Sequence, residues 1–192
     1  MMRTLLVLGF TGLTVFSVGA AAQQQKPPVN AVAQEMVDFH KRIDAYMKVR
    51  DQATKDLPDV KETGDPAKIS GREKALGTAI AKARVAAKPG DVFGEEMSVY
   101  LKKALAEDWK SRSAADRKAL FEELPKGIKL TVNQVYPTTL PLVSVPAKLL
   151  ARLPTLPEAL EYRLIDRYFL LRDRDANVIV DVLSNVYPTR DR

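Results

Sequence analysis

Three oxygen-bearing side chains alternate in the segment Asp173–Asn177, which reads D-R-D-A-N. This spacing matches the first ligands of an EF-hand calcium loop. The rest of that loop is missing, because Val178 stands at its glycine position and Ser184 at the position of its bidentate glutamate. Asp and Asn are also favoured in hairpin turns, since both tolerate left-handed backbone and hydrogen-bond their own main chain. We therefore interpret the segment as a turn and predict no metal site.

One histidine, His40, and no cysteine are present. A zinc site at His40 would need carboxylates for its remaining ligands, and the chain contains no H-E-x-x-H motif. Without cysteine, thiol catalysis, thiolate metal sites and disulfides are excluded. We expect neither a catalytic nor a metal-binding role for His40.

The motifs of serine hydrolases (G-x-S-x-G) and of phosphate-binding loops (G-x-x-x-x-G-K-[ST] and G-x-G-x-x-G) do not occur. A pair of carboxylates alone can hydrolyse glycosides, and such a pair leaves no signature in a single sequence. A small carboxylate-based hydrolase therefore stays open as an alternative. The sequence assigns no catalytic, cofactor-binding or metal-binding residue, and it implies no cofactor.

The composition is basic, with 30 Lys and Arg against 24 Asp and Glu. Acidic residues are interleaved with the basic ones of the third and fourth predicted helices, which indicates a mixed solvated face rather than an anion-binding patch. The basic positions there are Lys102, Lys103, Lys110, Arg112, Arg117 and Lys118. The sequence identifies no partner; for a chain outside the cytoplasm the candidates are another envelope protein or an anionic envelope component, and no nucleic acid is expected.

Residues 1–22 have the pattern of a secretory signal peptide. Arg3 precedes an uncharged apolar run, and Ala20-Ala21-Ala22 supplies a small-residue cleavage site. The run is short for a membrane span, and no later stretch is apolar enough for one. We expect cleavage after Ala22, a flexible linker at residues 23–29, a single domain at 30–192, a periplasmic or secreted location, and no stable membrane insertion afterwards.

Helical periodicity extends from Asn30 to about residue 124. A long first helix should end at Pro58, and a second should begin at Asp65-Pro66 and end at Pro89-Gly90, giving a helical hairpin. The first apolar stripe is Val32, Met36, Phe39, Ile43, Tyr46, Ala53 and Leu57, and the second is Ile69, Leu76, Ile80, Ala83 and Ala87.

Two shorter helices should follow. Asp91 is the predicted cap of the third, and Ser113 with Asp116 resembles a capping box for a fourth, which should run to Leu124. The inner face of the third helix should be Met97, Tyr100, Leu101, Leu105 and Trp109.

Extended structure is predicted after the helices. Alternation over Ile128–Val132 indicates a half-buried strand, a proline-rich stretch at 136–146 should cross the surface, and a short helix is expected at 146–153. Three apolar runs, Tyr162–Ile165, Tyr168–Arg172 and Val178–Leu183, then predict an antiparallel meander. The fold class is α+β: three to four helices followed by a small sheet.

The register of the meander follows from its apolar pattern. A two-residue turn at Asp166-Arg167 places Leu164 opposite Phe169 and Tyr162 opposite Leu171. A second turn of even length adds Val180 opposite Leu171 and Val182 opposite Phe169, on the same core face. Asp181 should then point to the other, wetter face, so that Asp181→Asn would cost only about 0.5 kcal/mol.

Three motifs, at Tyr46–Arg50, Leu153–Arg163 and Asp173–Asp181, resemble those of a group of small exported bacterial proteins of unknown function. That group shares a helical Y-x-x-x-R segment, an L-P-x-L-P-x-x-L-E-Y-R ending and a D-x-x-A-N-x-I-V-D strand. The last strands alone are also similar to those of periplasmic nickel/cobalt-homeostasis proteins. We expect an exported, non-catalytic binding or accessory protein, with a hydrolase or a metal-stress accessory protein as alternatives.

Overall fold

The computed structural model describes residues 30–57, 64–122, 124 and 127–188. In this part of the chain a group of helices is followed by a three-stranded antiparallel sheet, which confirms the α+β class. The predicted signal peptide and linker, residues 1–29, lie outside the described residues. Among the helices described, none combines the length and the apolar character needed to cross a membrane.

Two helices begin with a side-chain N-cap, as predicted at Asp65. The Asn30 side chain accepts a hydrogen bond from the N–H of Val32, and Asp65 caps the next helix in the same way, followed by proline. Their bounds are α1 (Ala31–Lys55), α2 (Pro66–Ala83), α3 (Glu95–Ser111), α4 (Ala114–Glu122) and α5 (Ala147–Leu150).

The end of α2 differs from the prediction of Pro89-Gly90. The helix stops at Ala83, because Arg84 leaves helical geometry at φ −114° and ψ 33°. The guanidinium of Arg84 donates to the carbonyl of Val180 at 3.1 Å and lies 5.0 Å from the ring centre of Tyr46. Arg84 thus links the end of α2 to the sheet.

The start of α3 also differs. Asp91 does not cap it; the Asp91 carboxylate accepts from the N–H of Lys88 at 2.9 Å, inside the preceding turn. The N-cap is Gly94, at φ 74°, a backbone conformation that favours glycine. The capping box of α4 is confirmed, since Ser113 Oγ accepts from the N–H of Asp116 at 3.1 Å.

The predicted strand Ile128–Val132 is wrong as a regular element. Its residues belong to no strand in the described part of the chain, and Asn133, directly after them, adopts a left-handed backbone at φ 62°. Leu130 and Val132 are nevertheless buried. The segment that follows pairs with the last strand, where the N–H of Asn133 donates to the carbonyl of Ile179 at 2.9 Å.

The sheet consists of β1 (Leu160–Ile165), β2 (Tyr168–Asp173) and β3 (Val178–Ser184), in the order β1-β2-β3. The first hairpin has the predicted register, with Leu164 opposite Phe169 and Tyr162 opposite Leu171. Asp166 adopts the left-handed backbone conformation of the turn, at φ 51°.

The predicted register of the second hairpin is wrong by one residue. Leu171 pairs with Asp181 rather than with Val180, because the pairing shifts at a bulge between Leu171 and Arg172. Val180 keeps its predicted place in the helix-side core with Phe169. Val182 instead lies in the cluster on the opposite face of the sheet.

Both faces of the sheet are buried. The helix-side core contains Phe39, Ile43, Ile80, Met97, Leu101, Leu105, Phe169, Leu171 and Val180, among others. The other face, predicted to be wetter, is covered by Leu130, Val132, Tyr136 and Leu140, which pack on Ile165, Leu170, Ile179 and Val182. Isolated bridges at Ser144–Arg163 and Val135–Val178 also cover parts of both sheet edges, which limits edge pairing with other chains.

The prediction that Asp181 faces solvent is wrong. Its side chain is fully buried, and its carboxylate accepts hydrogen bonds from four backbone N–H groups. These belong to Gly90 (2.7 Å), Val92 (2.8 Å), Phe93 (2.7 Å) and Val182 (2.7 Å). Burial raises the pKa of Asp181, and the four donors oppose that rise. The carboxylate thereby fixes the loop between α2 and α3 on the sheet.

Asp181→Asn should therefore destabilise the protein by about 2 kcal/mol or more, because an amide offers one acceptor oxygen where the carboxylate offers two. Asp44→Asn, at an exposed position of α1, is the matched control and should cost less than about 0.5 kcal/mol. Urea unfolding of both variants measures the difference. Equal, small effects would contradict the role given to Asp181.

Candidate functional site

An open, mostly apolar hollow lies beside β1 and is called here the β1 cleft. Its volume is about 450 Å³, within the usual range of ligand pockets. Leu150 lines it and is 50% exposed. The full lining is Ser144, Val145, Leu150, Leu153, Pro154, Thr155, Leu156, Leu160, Glu161, Tyr162 and Arg163.

One wall of the cleft is the segment Leu153–Leu156. Two tyrosines and a histidine hold it in place through contacts with main-chain carbonyl oxygens. The Tyr100 hydroxyl donates to the carbonyl of Arg152 at 2.7 Å, and the Tyr162 hydroxyl to that of Pro154 at 3.1 Å. His40 Nε2 lies 3.2 Å from the carbonyl oxygen of Thr155. Prolines lack the N–H that a strand ladder needs, so side chains from α3, β1 and α1 position this wall.

His40 therefore has a place in the fold that the sequence did not show. Its other ring nitrogen, Nδ1, lies 2.7 Å from the carbonyl oxygen of Met36, one turn earlier in α1. Both nitrogens thus contact main-chain oxygens, and the ring joins α1 to the cleft wall at Thr155.

The polar wall of the cleft consists of Glu161 and Arg163 on β1, and both belong to an ion-pair network that extends to Arg172 on β2. Glu161 lies between two arginines, with its oxygens 2.5 Å from Arg163 Nη2 and 2.5 Å from Arg172 Nη1. Arg172 also donates to Asn177 Oδ1 through Nε at 3.1 Å and Nη2 at 2.7 Å. Burial would raise the pKa of Glu161, but the two guanidinium groups outweigh it, and the pKa is lowered.

The guanidinium of Arg163 is not fully hydrogen-bonded. Its Nη1 donates to the carbonyl of Leu142 at a long 3.3 Å. Among the buried side-chain nitrogen and oxygen atoms of the described residues, Arg163 Nε and Arg112 Nη2 alone have no hydrogen-bond partner. Unpaired buried donors are uncommon in proteins, so the wall of the β1 cleft contains an incompletely paired cation.

Two further hollows hold charged groups that serve the fold. One, of about 320 Å³, is lined by Arg112, Asp116 and Asp166 among others. Hydrogen bonds from Ser113 lower the pKa of Asp116 there. In the other, of about 400 Å³, Arg42 donates to the main chain of the loop before α3.

The calcium-like segment runs from Asp173, the last residue of β2, through the turn that leads to β3, as predicted. Asp173 Oδ1 accepts from the N–H of Ala176 at 2.9 Å, while Oδ2 accepts from the Tyr46 hydroxyl at 2.9 Å and from Arg50 Nε at 2.8 Å. Its oxygens are therefore committed to the turn and to α1. Within the described ranges, His, Asp and Glu form no group of three or more that could hold a metal ion.

Sequence reasoning missed the partnership of Tyr46 and Arg50 with Asp173. Arg50 interrupts the apolar stripe of α1, and its spacing of four residues from Tyr46 places both on one face of the helix. A charged residue on a core-facing stripe requires a buried partner of opposite charge, and this was the available signal.

Comparison with known proteins supplies no relative from which a role could be transferred. No protein-family model, curated protein or solved structure matches this chain.

Glu161→Gln should destabilise the protein by about 2 kcal/mol at neutral pH, since hydrogen bonds to charged groups contribute about 1.5–3 kcal/mol. The lowered folded-state pKa of Glu161 makes this contribution complete above the unfolded pKa of about 4.3. It is lost as pH falls through the folded-state pKa. The stability difference between wild type and variant should thus shrink below about pH 4 in urea melts.

The exposed Glu158, on the turn before β1, provides the control. Glu158→Gln should leave stability within about 0.5 kcal/mol of wild type. If the Glu161→Gln difference stays constant from neutral pH to well below pH 4, the network does not hold Glu161 ionised.

Proposed function

We propose that this chain is an exported, non-catalytic binding or accessory protein of the periplasm, and that the β1 cleft is its binding site. The observation that carries the proposal is the cleft itself, about 450 Å³ in volume and lined mainly by Leu, Val and Pro side chains. Binding sites combine such an apolar lining with a few placed polar groups. Arg163 and Glu161 are those groups here.

Carboxylate chemistry favours binding over hydrolysis. Glu161 lines the cleft, and its pKa is lowered, whereas a general acid needs a raised pKa. In the hollow of about 320 Å³, the pKa of Asp116 is also lowered, by hydrogen bonds from Ser113. These observations support a binding role over the two-carboxylate hydrolase. The metal-stress role rests on the similarity of the last strands alone and stays a prediction.

Export is supported by the sequence of residues 1–22, with Arg3, an apolar run and Ala20-Ala21-Ala22. The resemblance to small exported bacterial proteins agrees with it. We propose a component of the cell envelope as the partner or ligand source.

A neutral apolar fluorophore such as N-phenyl-1-naphthylamine should bind in the cleft with increased emission. Leu150→Asp should weaken this binding about tenfold or more, because a carboxylate beside an apolar ligand loses hydration without gaining a partner. Fluorescence titration of wild type and variant gives the two dissociation constants.

Ile69→Asp is the matched control. Ile69 is 54% exposed in the first turn of α2 and does not line the cleft. This variant should bind the fluorophore as wild type does. Absence of binding to the wild-type protein, or equal loss in both variants, would contradict a binding role for the cleft.

Export predicts a processed N-terminus. Mass spectrometry of protein isolated from the cell envelope should show a chain that begins at Gln23. A chain that retains Met1 would show that residues 1–22 act as an anchor instead.

A further inference from the structure

We infer that the β1 cleft binds a free, single-chain amphiphile with a carboxylate head and an aliphatic tail, and that Arg163 binds the carboxylate. This inference rests on the proposed function, because it requires the cleft to be a binding site. It adds the chemical class of the ligand and the residue that selects it.

The charge at the polar wall is the first argument. Two guanidinium groups, of Arg163 and Arg172, share the single carboxylate of Glu161. In the described part of the chain no other carboxylate lies within 4.0 Å of either guanidinium. The wall therefore carries one surplus positive charge, and a ligand with one negative charge complements it.

Hydrogen bonding identifies Arg163 as the binding group. Arg172 is 8% exposed and saturates two of its nitrogens on Asn177. The Arg163 side chain is 16% exposed, its Nε has no partner, and its Nη1 has only the carbonyl of Leu142 at 3.3 Å. A ligand carboxylate that replaces this carbonyl forms a shorter, charge-assisted bond of about 2.7–2.9 Å.

The apolar part of the cleft accounts for the tail. Each methylene that the tail buries there should raise affinity about fourfold. The volume of about 450 Å³ suits one small ligand, and both β1 and the segment Leu153–Leu156 line the hollow. The aliphatic lining is Val145, Leu150, Leu153, Leu156 and Leu160.

Isothermal titration calorimetry with decanoate, below its micelle concentration, tests the inference. Wild-type protein should bind decanoate at least tenfold more tightly than decyltrimethylammonium, which has the opposite charge and a tail one carbon longer, so that tail burial alone would favour the cation. Arg163→Gln should weaken decanoate binding about tenfold or more, and this factor should exceed the factor by which it weakens binding of the neutral N-phenyl-1-naphthylamine. Arg163→Lys, which keeps the charge, should recover part of the decanoate affinity.

Arg152→Gln is the control for a general loss of positive charge. Arg152 precedes the cleft wall, its side chain is 45% exposed, and it is paired with Glu107. This variant should bind decanoate as wild type does. If Arg163→Gln fails to fold by circular dichroism, the comparison of the two detergents on wild type and on Arg163→Lys still decides the matter.

Equal affinity for decanoate and decyltrimethylammonium would overturn the inference, and so would an unchanged decanoate affinity in Arg163→Gln. In both cases continued binding of the neutral fluorophore leaves the proposed function intact. Binding to vesicles of anionic phospholipid without binding of free decanoate would make the ligand a membrane surface and also overturn the inference. Failure of every probe to bind would overturn the proposed function itself.

Discussion

A three-stranded sheet that is buried on both faces must pair every charged side chain that it encloses, because an unpaired buried charge is strongly destabilising. This constraint organises the molecule. The buried carboxylate of Asp173 is paired with Tyr46 and Arg50 of α1. The buried carboxylate of Asp181 is surrounded by N–H groups, three of them from the loop before α3. Asp173 thus attaches α1 to the sheet and Asp181 attaches the loop before α3, and the apolar core fills the space between these elements.

These polar contacts determine orientation, while apolar burial supplies most of the driving force. Hydrogen bonds are directional, so the four N–H groups that donate to Asp181 restrict the position of the loop more than apolar contacts would. Arg84 adds a third attachment, since it leaves α2 and donates to the carbonyl of Val180 in β3. The helices therefore meet the sheet in one arrangement.

The sequence predicts those parts of the fold that depend on local pattern. The cap at Asp65, the capping box of α4 and the first hairpin follow from residue type and spacing. The second hairpin does not, because the run Val178–Leu183 is apolar on both faces and gives no alternation to set the register. Its single polar residue, Asp181, suggests an exposed position, whereas it is buried among N–H groups from residues almost ninety positions earlier.

The β1 cleft could be predicted still less. Its wall is held by contacts between distant positions, such as His40 with Thr155, 115 residues apart. No pattern within one segment records such a contact. The sequence offers only indirect evidence for this wall. Pro154 and Pro157 have no N–H to donate to a strand ladder, so side chains must hold the segment Leu153–Leu156 in place.

The position of Arg163 connects the fold to the proposed function. Side chains on the central strand β2 are enclosed by elements on both sides, and Arg172 is fully engaged there by Glu161 and Asn177. Arg163 lies on the edge strand β1, where the neighbouring segment contributes one isolated bridge at Ser144 rather than a continuous ladder. Because β1 has no continuous ladder on this side, Arg163 can stay incompletely hydrogen-bonded while the apolar core remains buried. A ligand anion at this point would complete hydrogen bonding that the fold itself leaves unfinished, so binding need not disturb the contacts that hold the helices on the sheet.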